Sequence, residues 1–140
     1  MITSEEAIGK ICDLKELIKE YNYAFVGIGN NQFRLECISK IKEIGYEIPV
    51  LLHSTAHVSK SAEVDKGIVV ESHALINVNT TIGEGCIVSV GTIIDHNVVV
   101  EDDVHANAGT IIKASAEILA LPKLEAGEVV LGYGSARIHK

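Results

Sequence analysis

From Val58 onward the chain places a large aliphatic residue at nearly every sixth position: Val58, Val64, Val70, Ile76, Ile82, Val88, Ile94, Val100, Ala106, Ile112, Ile118, Leu124 and Val130. Only Ala106 breaks the size rule. Four residues after each, something small or β-branched usually follows, as at Ala62, Ala74, Thr80, Cys86, Thr92, Val98, Thr110 and Ala116. A strict period of six describes a solenoid in which each hexad gives one short strand and one turn, and three hexads close one triangular coil. Each residue of the series then points inward, and residues 18 apart lie above one another in parallel ladders. Residues 58 to 130 would make about four coils. A β-sandwich would show period two, with turn signals at intervals of about 8 to 12 residues.

Composition agrees with this. Trp is absent and only two Phe and four Tyr occur among 140 residues, so the core must be built from Val, Ile, Leu and Ala. Such β-branched bias favours many short strands over amphipathic helices. The length suits one ordinary domain or two small units leaning on each other. A net charge of -7 argues against non-specific binding to nucleic acid or to an anionic membrane surface. Cys12, Cys37 and Cys86 have neither paired nor metal-like spacing. No leading segment combines a basic start, an apolar run and a small-residue cleavage site, and no apolar stretch approaches the roughly 20 residues of a membrane span. The expectation is a reduced, cytoplasmic protein.

Before the repeat the pattern changes. LKELIKEY has helical spacing, YAFVGIG reads as a short strand, NNQFRLECISKIKEIG as a helix and YEIPVLL as another strand. Asn31 is placed to cap the second helix, Leu35, Ile38 and Ile41 recur at helical intervals, and Gly45 suits the left-handed stop. Strand, helix and strand predict a βαβ unit with parallel strands. GIGNN, residues 27 to 31, falls where such a unit binds ligands, at the end of a strand and the start of a helix. A tight turn followed by a helix cap explains the same residues without a ligand. The domain division expected is an α/β unit over 1–52, the solenoid over 53–131 and a tail over 132–140.

Within the repeat, GTIIDHNVVVEDDVH carries His96 and His105 nine residues apart. Nine is half a coil, so the two project from different parts of the triangle and share a site only across a subunit boundary. The stacking arithmetic puts Val78 below His96 and Ala114 above it, with Asn77, Asp95 and Lys113 in one adjacent column and Asn79, Asn97 and Ser115 in the other. Histidine, with an unperturbed pKa of about 6.5, can be neutral at physiological pH and accept a proton, and Asp95 or Asn97 is placed to orient the second ring nitrogen. His53, His57, His73 and His139 read as solvated surface groups. Hexapeptide-repeat carbonic anhydrases of the gamma class hold zinc with histidines of which two lie five residues apart on one stretch. The spacing of nine here argues for no metal.

The segments YAFVGIGNNQFR, IPVLLHSTAHVSKSAEV, GTIIDHN and HANAG resemble the sialic acid O-acetyltransferase group, which includes bacterial N-acetyltransferases of UDP-linked 4-amino sugars. That resemblance covers almost the whole chain. It implies a sugar-nucleotide unit followed by a left-handed parallel β-helix, a homotrimer, and acetyl-CoA bound between adjacent helices. It also implies direct acetyl transfer to a sugar acceptor, a sialic acid or an amino sugar that can be nucleotide-linked. His96 matches the catalytic base, His105 the histidine near the acetyl carbonyl, Gly109 a glycine in the following turn, and Gly29, Asn30 and Asn31 the loop facing the sugar nucleotide. Asn97 stands where the family usually has an acid after the base, and Ala114 where it has a glycine. The family's opening strand and about two late coils have no counterpart, and LGYGSAR looks like its closing Gly-x-Pro-Ala-Arg tail with Ser135 at the proline. Lys113, Lys123, Arg137 and Lys140 are the cations available for CoA phosphates. A shortened relative acting as a trimeric binding or scaffold module is the alternative.

Overall fold

The computed structural model describes residues 7–133, so the tail motif beyond Tyr133, with Ser135, Arg137, His139 and Lys140, lies outside the described residues. Fourteen two-residue strands, β1 to β14 in chain order, form three parallel sheets, the three faces of a prism. One face holds β1 (Leu51–Leu52), β4 (Val69–Val70), β7 (Ile87–Val88), β10 (His105–Ala106) and β13 (Lys123–Leu124). A second holds β2 (His57–Val58), β5 (Leu75–Ile76), β8 (Ile93–Ile94), β11 (Ile111–Ile112) and β14 (Val129–Val130). The third holds β3 (Glu63–Val64), β6 (Thr81–Ile82), β9 (Val99–Val100) and β12 (Glu117–Ile118).

The register follows the expected offset, with Leu75 paired to Ile93 and Ile93 to Ile111. The second residue of each strand points inward, and from Val70 to Val130 that column is buried. Val58 and Val64, near the open end, pack on it half-buried. This is the left-handed parallel β-helix that the sequence implied, preceded by a small unit that is mainly helical.

Corner residues recur in the left-handed region with the same period. Gly67, Gly85, Asp103 and Leu121 form one such column, His73, Gly91, Gly109 and Gly127 the next, and Asn79, Asn97, Ser115 and Tyr133 the third. Asn and Asp tolerate this conformation better than other side chains, and glycine adopts it freely.

The N-terminal unit departs from the sequence expectation. Two helices form, α1 (Leu14–Leu17) and α2 (Asn31–Ile44), with Gly45 closing α2 at φ 103°. Its N-cap is Asn30, whose side chain accepts from the Phe33 amide, rather than Asn31. The anticipated βαβ pairing shrinks to one parallel bridge, Tyr23 to Glu47. The reason is competition: Leu51 and Leu52 of YEIPVLL pair with Val69 and Val70, starting the solenoid one hexad early. A small core of Val26, Ile38, Ile41, Tyr46 and Ile48 holds the unit together.

Helix α2 runs along the first corner column. A Cβ added to Gly67 would lie 3.3 Å from Ile48, and one on Gly85 would lie 2.7 Å from Ile38. Farther along, Arg34 bonds to Gly85 and Asp103, and Asn31 to Leu121 and Pro122. Helical neighbours three or four residues apart rise about 4.5 to 6 Å, a range that includes the roughly 4.8 Å between stacked strands. One turn of helix therefore meets one coil of solenoid.

Candidate active site

His96 stands at the corner that leaves the second face, just after β8. Asp95 organises it. A single carboxylate oxygen, Oδ1, accepts from the His96 amide at 2.7 Å, from His96 Nδ1 at 2.8 Å and from Asn77 Nδ2 at 3.2 Å. The Asp95 backbone is fixed in turn by Thr80 Oγ1, which donates to its carbonyl at 2.8 Å. The hydrogen bond from His96 is the main cause that holds the Asp95 carboxyl below the ordinary aspartate range, so the group is ionised. In the neutral imidazole, an ionised partner favours the tautomer with the proton on Nδ1 and the lone pair on Nε2. Tyr133 Oη lies 3.2 Å from Nε2 and donates to it in that tautomer.

Of the two groups the sequence offered as orienting His96, Asp95 does so and Asn97 does not. Asn97 sits in the left-handed corner at φ 56°, and its Oδ1 accepts from Asn79 one coil below. The columns expected beside His96 are present: the Asn97 amide bonds to the Val78 carbonyl, and the Ser115 amide to the His96 carbonyl.

His105 points outward from β10 on the first face, which lies opposite the corner carrying His96. The two histidines do not meet within the chain, as half a coil of separation requires. Ser89 Oγ lies 3.2 Å from His105 Nε2, while Nδ1 is buried. Burial is the first cause that lowers the His105 pKa, and the nearby charges of Lys123 and Arg34 push the same way against the Gly29 backbone and Glu71. The ring is neutral at physiological pH and can present one N–H as donor.

The Gly29–Asn31 loop borders the same region. Gly29, Asn30, Asn31 and Gln32 face Leu121 and Lys123 across a cleft. Asn31 Nδ2 donates to the Leu121 and Pro122 carbonyls at 2.7 and 3.0 Å. The side chains of Asn30 and Asn31 thus hold the loop to helix and solenoid. Gly29 has no positive φ and open space where a Cβ would stand, so neither turn geometry nor packing in this chain requires glycine there. Gly109 occupies a corner at φ 68° and is exposed.

Sequence reasoning missed three groups. Arg34 is fully buried and donates to three backbone carbonyls. Asp103 is buried beside it, and burial raises its carboxyl from the ordinary 3.8 to about 6. Tyr133 belongs to the Asn79, Asn97, Ser115 column, and its reach to His96 could have been read from the small Ala114 and Ser115 between them. Among the described residues no three His, Cys, Asp or Glu side chains converge as a metal site.

No family model matches the chain. Among solved structures, the acetyltransferase domain of PglB from Neisseria gonorrhoeae, in complex with acetyl coenzyme A, superposes with a TM-score of 0.87 at 26% identity over 92% of this chain. A variant of perosamine N-acetyltransferase from Caulobacter crescentus, in complex with CoA and GDP-perosamine, gives 0.81 at 22% identity over 94% of this chain and 73% of its own. The chain has the fold of the hexapeptide-repeat sugar N-acetyltransferases. WeeI from Acinetobacter baumannii shares that fold across the whole chain, with a TM-score of 0.67 at 16% identity. This chain spans 63% of the length of the Neisseria domain. Within the sugar N-acetyltransferase fold, the Asp95–His96 pair stands at a corner and the loop with His105 on the opposite side.

Proposed function

We propose that the protein transfers the acetyl group of acetyl-CoA directly to the amine or hydroxyl of a sugar acceptor, an amino sugar carried on a nucleotide, and that it does so as a homotrimer. The Asp95–His96 arrangement carries this reading: an imidazole whose Nδ1 is held by a carboxylate and whose Nε2 meets the exposed Tyr133 hydroxyl, which an acceptor amine or hydroxyl would displace, is built to take a proton. His96 accepts the proton of the attacking acceptor, the acceptor bonds to the acetyl carbonyl carbon, and the C–S bond breaks to release CoA. Asp95 stabilises the imidazolium. His105, neutral and half-buried, donates to the acetyl oxygen as it gains charge. Gly109 keeps its corner free of a side chain for the thioester arm, Asn97 fixes the corner beside the base, and Gly29, Asn30 and Asn31 face the acceptor.

The second face supports the assembly. Its outward positions are His57 at one end and then Leu75, Ile93, Ile111 and Val129, of which the last three are 39%, 36% and 48% exposed. The third face presents Glu63, Thr81 and Glu117, with Val99 as its one outward aliphatic. An apolar stripe bordered by His96 is the surface on which a second copy would bury itself, bringing one subunit's His96 to another's His105. The acetyl-CoA complex of the Neisseria domain supports the choice of donor, and the GDP-perosamine complex the class of acceptor. Lys113 and Lys123 are the described cations available to CoA phosphates.

No helix of the described residues is long and apolar enough to cross a membrane. Cys12, Cys37 and Cys86 are free, and burial pushes the Cys86 thiol up to about 12, so it is inert. We read the working compartment as the reducing cytoplasm. The test is CoA-thiol release from acetyl-CoA with free amino sugars, sialic acids and UDP- and GDP-linked amino sugars, alongside calorimetric titration of acetyl-CoA. Turnover with a nucleotide-linked amino sugar is expected. Absence of acetyl-CoA binding would refute the transferase and favour the scaffold.

A further inference from the structure

Arg34 shares the buried side of α2 with Ile38 and Ile41; these two pack in the small core of the N-terminal unit, and Ile38 also abuts the Gly85 corner of the solenoid. No part of it reaches solvent. Its three nitrogens donate to three backbone carbonyls from separate stretches of chain: Nη1 to Ile28 at 2.9 Å, Nη2 to Asp103 at 2.8 Å and Nε to Gly85 at 2.7 Å. The Asp103 carboxylate lies 3.6 Å from Nε. Ile28 precedes Gly29 in the loop facing the cleft, and Asp103 is the corner residue two before His105. One rigid, planar cation therefore joins the loop to the turn that presents His105, with the corner of the coil below as the third anchor.

We propose that Arg34 is a positioning residue: it fixes the Gly29–Asn31 loop against the turn carrying His105, so that the acceptor loop and the group serving the acetyl oxygen move as one body. Resting on the transferase reading above, this assigns to a buried side chain outside the site the spacing between acceptor and acetyl group. The guanidinium suits the task because its donors are coplanar and diverge, so the three carbonyls are held at fixed angles to one another. Lysine can bond one or two of them but cannot reproduce the fork. A bolt holding α2 to the solenoid and nothing more would influence stability alone.

The experiment compares wild type with Arg34→Lys in two arms. In steady-state kinetics, Arg34→Lys is expected to raise the acceptor KM by about tenfold while acetyl-CoA affinity stays within about twofold. Unchanged acceptor KM in the folded variant, or equal loss of both affinities in proportion to the unfolded fraction, would overturn the proposal. The second arm is hydrogen exchange, which needs no substrate. Amides of residues 28–31 and 103–105 are expected to exchange with a common opening in wild type and to rise together in the variant, with those of 111–118 unchanged. A loop that opens on its own in wild type overturns the coupling, and this measurement decides if Arg34→Lys does not fold. Absence of turnover in wild type would strike the transferase reading alone.

Discussion

Asp103 offers a stability experiment whose sign is set by two opposing effects. The residue is 1% exposed, so burial disfavours its charge, while Arg34 Nε at 3.6 Å favours it. Burial dominates and lifts the carboxyl from the ordinary 3.8 to about 6. The folded chain thus holds this proton more tightly than the unfolded chain does, and the stability it contributes is fully present below about pH 4 and lost as the pH rises through 6. At about 1.4 kcal/mol per pH unit of displacement, the whole effect is about 3 kcal/mol. The substitution Asp103→Asn is close to isosteric, suits the left-handed φ of 55°, and cannot ionise. Relative to wild type, it is expected to gain about 2 kcal/mol between about pH 4.5 and pH 8, because wild type weakens over that range and the amide does not. Urea unfolding at both pH values, at one protein concentration, gives the double difference, in which the titrations of the other carboxylates cancel. A difference that stays flat, or moves the other way with pH, would show that Arg34 keeps Asp103 ionised, and the burial argument would be wrong.

Three further outcomes follow from the geometry. Gly85→Ala forces a side chain into φ 71° with its Cβ 2.6 Å from Asp103 Oδ1 and 2.7 Å from Ile38; a loss of roughly 2 to 4 kcal/mol is expected, read as a melting point lower by about 10 °C, and an unchanged melting point would contradict the close packing of α2. Ile93→Asp puts a charge in the apolar stripe and should leave a folded monomer by light scattering and circular dichroism where wild type gives the proposed trimer, whereas an unchanged oligomeric state would remove the second face from the proposed assembly. Tyr133→Phe frees the His96 lone pair, so diethyl pyrocarbonate should modify His96 severalfold faster, and an equal rate would show that the phenol does not guard Nε2.

The solenoid was legible because its physics is periodic: a hexad of aliphatic residues has one way to close a core, and the period of 18 that separates paired strands also sets the corners. Positions such as Asn97 and Gly109 then have a structural meaning independent of chemistry, since both occupy left-handed corners. The same arithmetic separated His96 from His105. What the sequence concealed was anything decided by backbone partners. Arg34 sits at a core-facing position of α2 with nothing in the sequence naming its carbonyl acceptors, because every residue carries a carbonyl. Two adjacent asparagines left the helix cap ambiguous by one residue, and Asn30 took it. The second strand of the expected βαβ unit was lost because Leu51 and Leu52 found better partners in the next coil than the YAFVGIG segment offered.

The proposed role of His96 as the base is decided by turnover of acetyl-CoA by wild type and His96→Ala on the same nucleotide-linked amino sugar, with acetyl-CoA affinity measured on both proteins. Loss of a general base costs about 10² to 10⁴ in kcat, so the variant is expected to bind acetyl-CoA within about threefold of wild type while its kcat falls by that factor. A variant that keeps wild-type turnover would show that the proton leaves by another route, and that the Asp95–His96 pair belongs to the architecture of the corner alone.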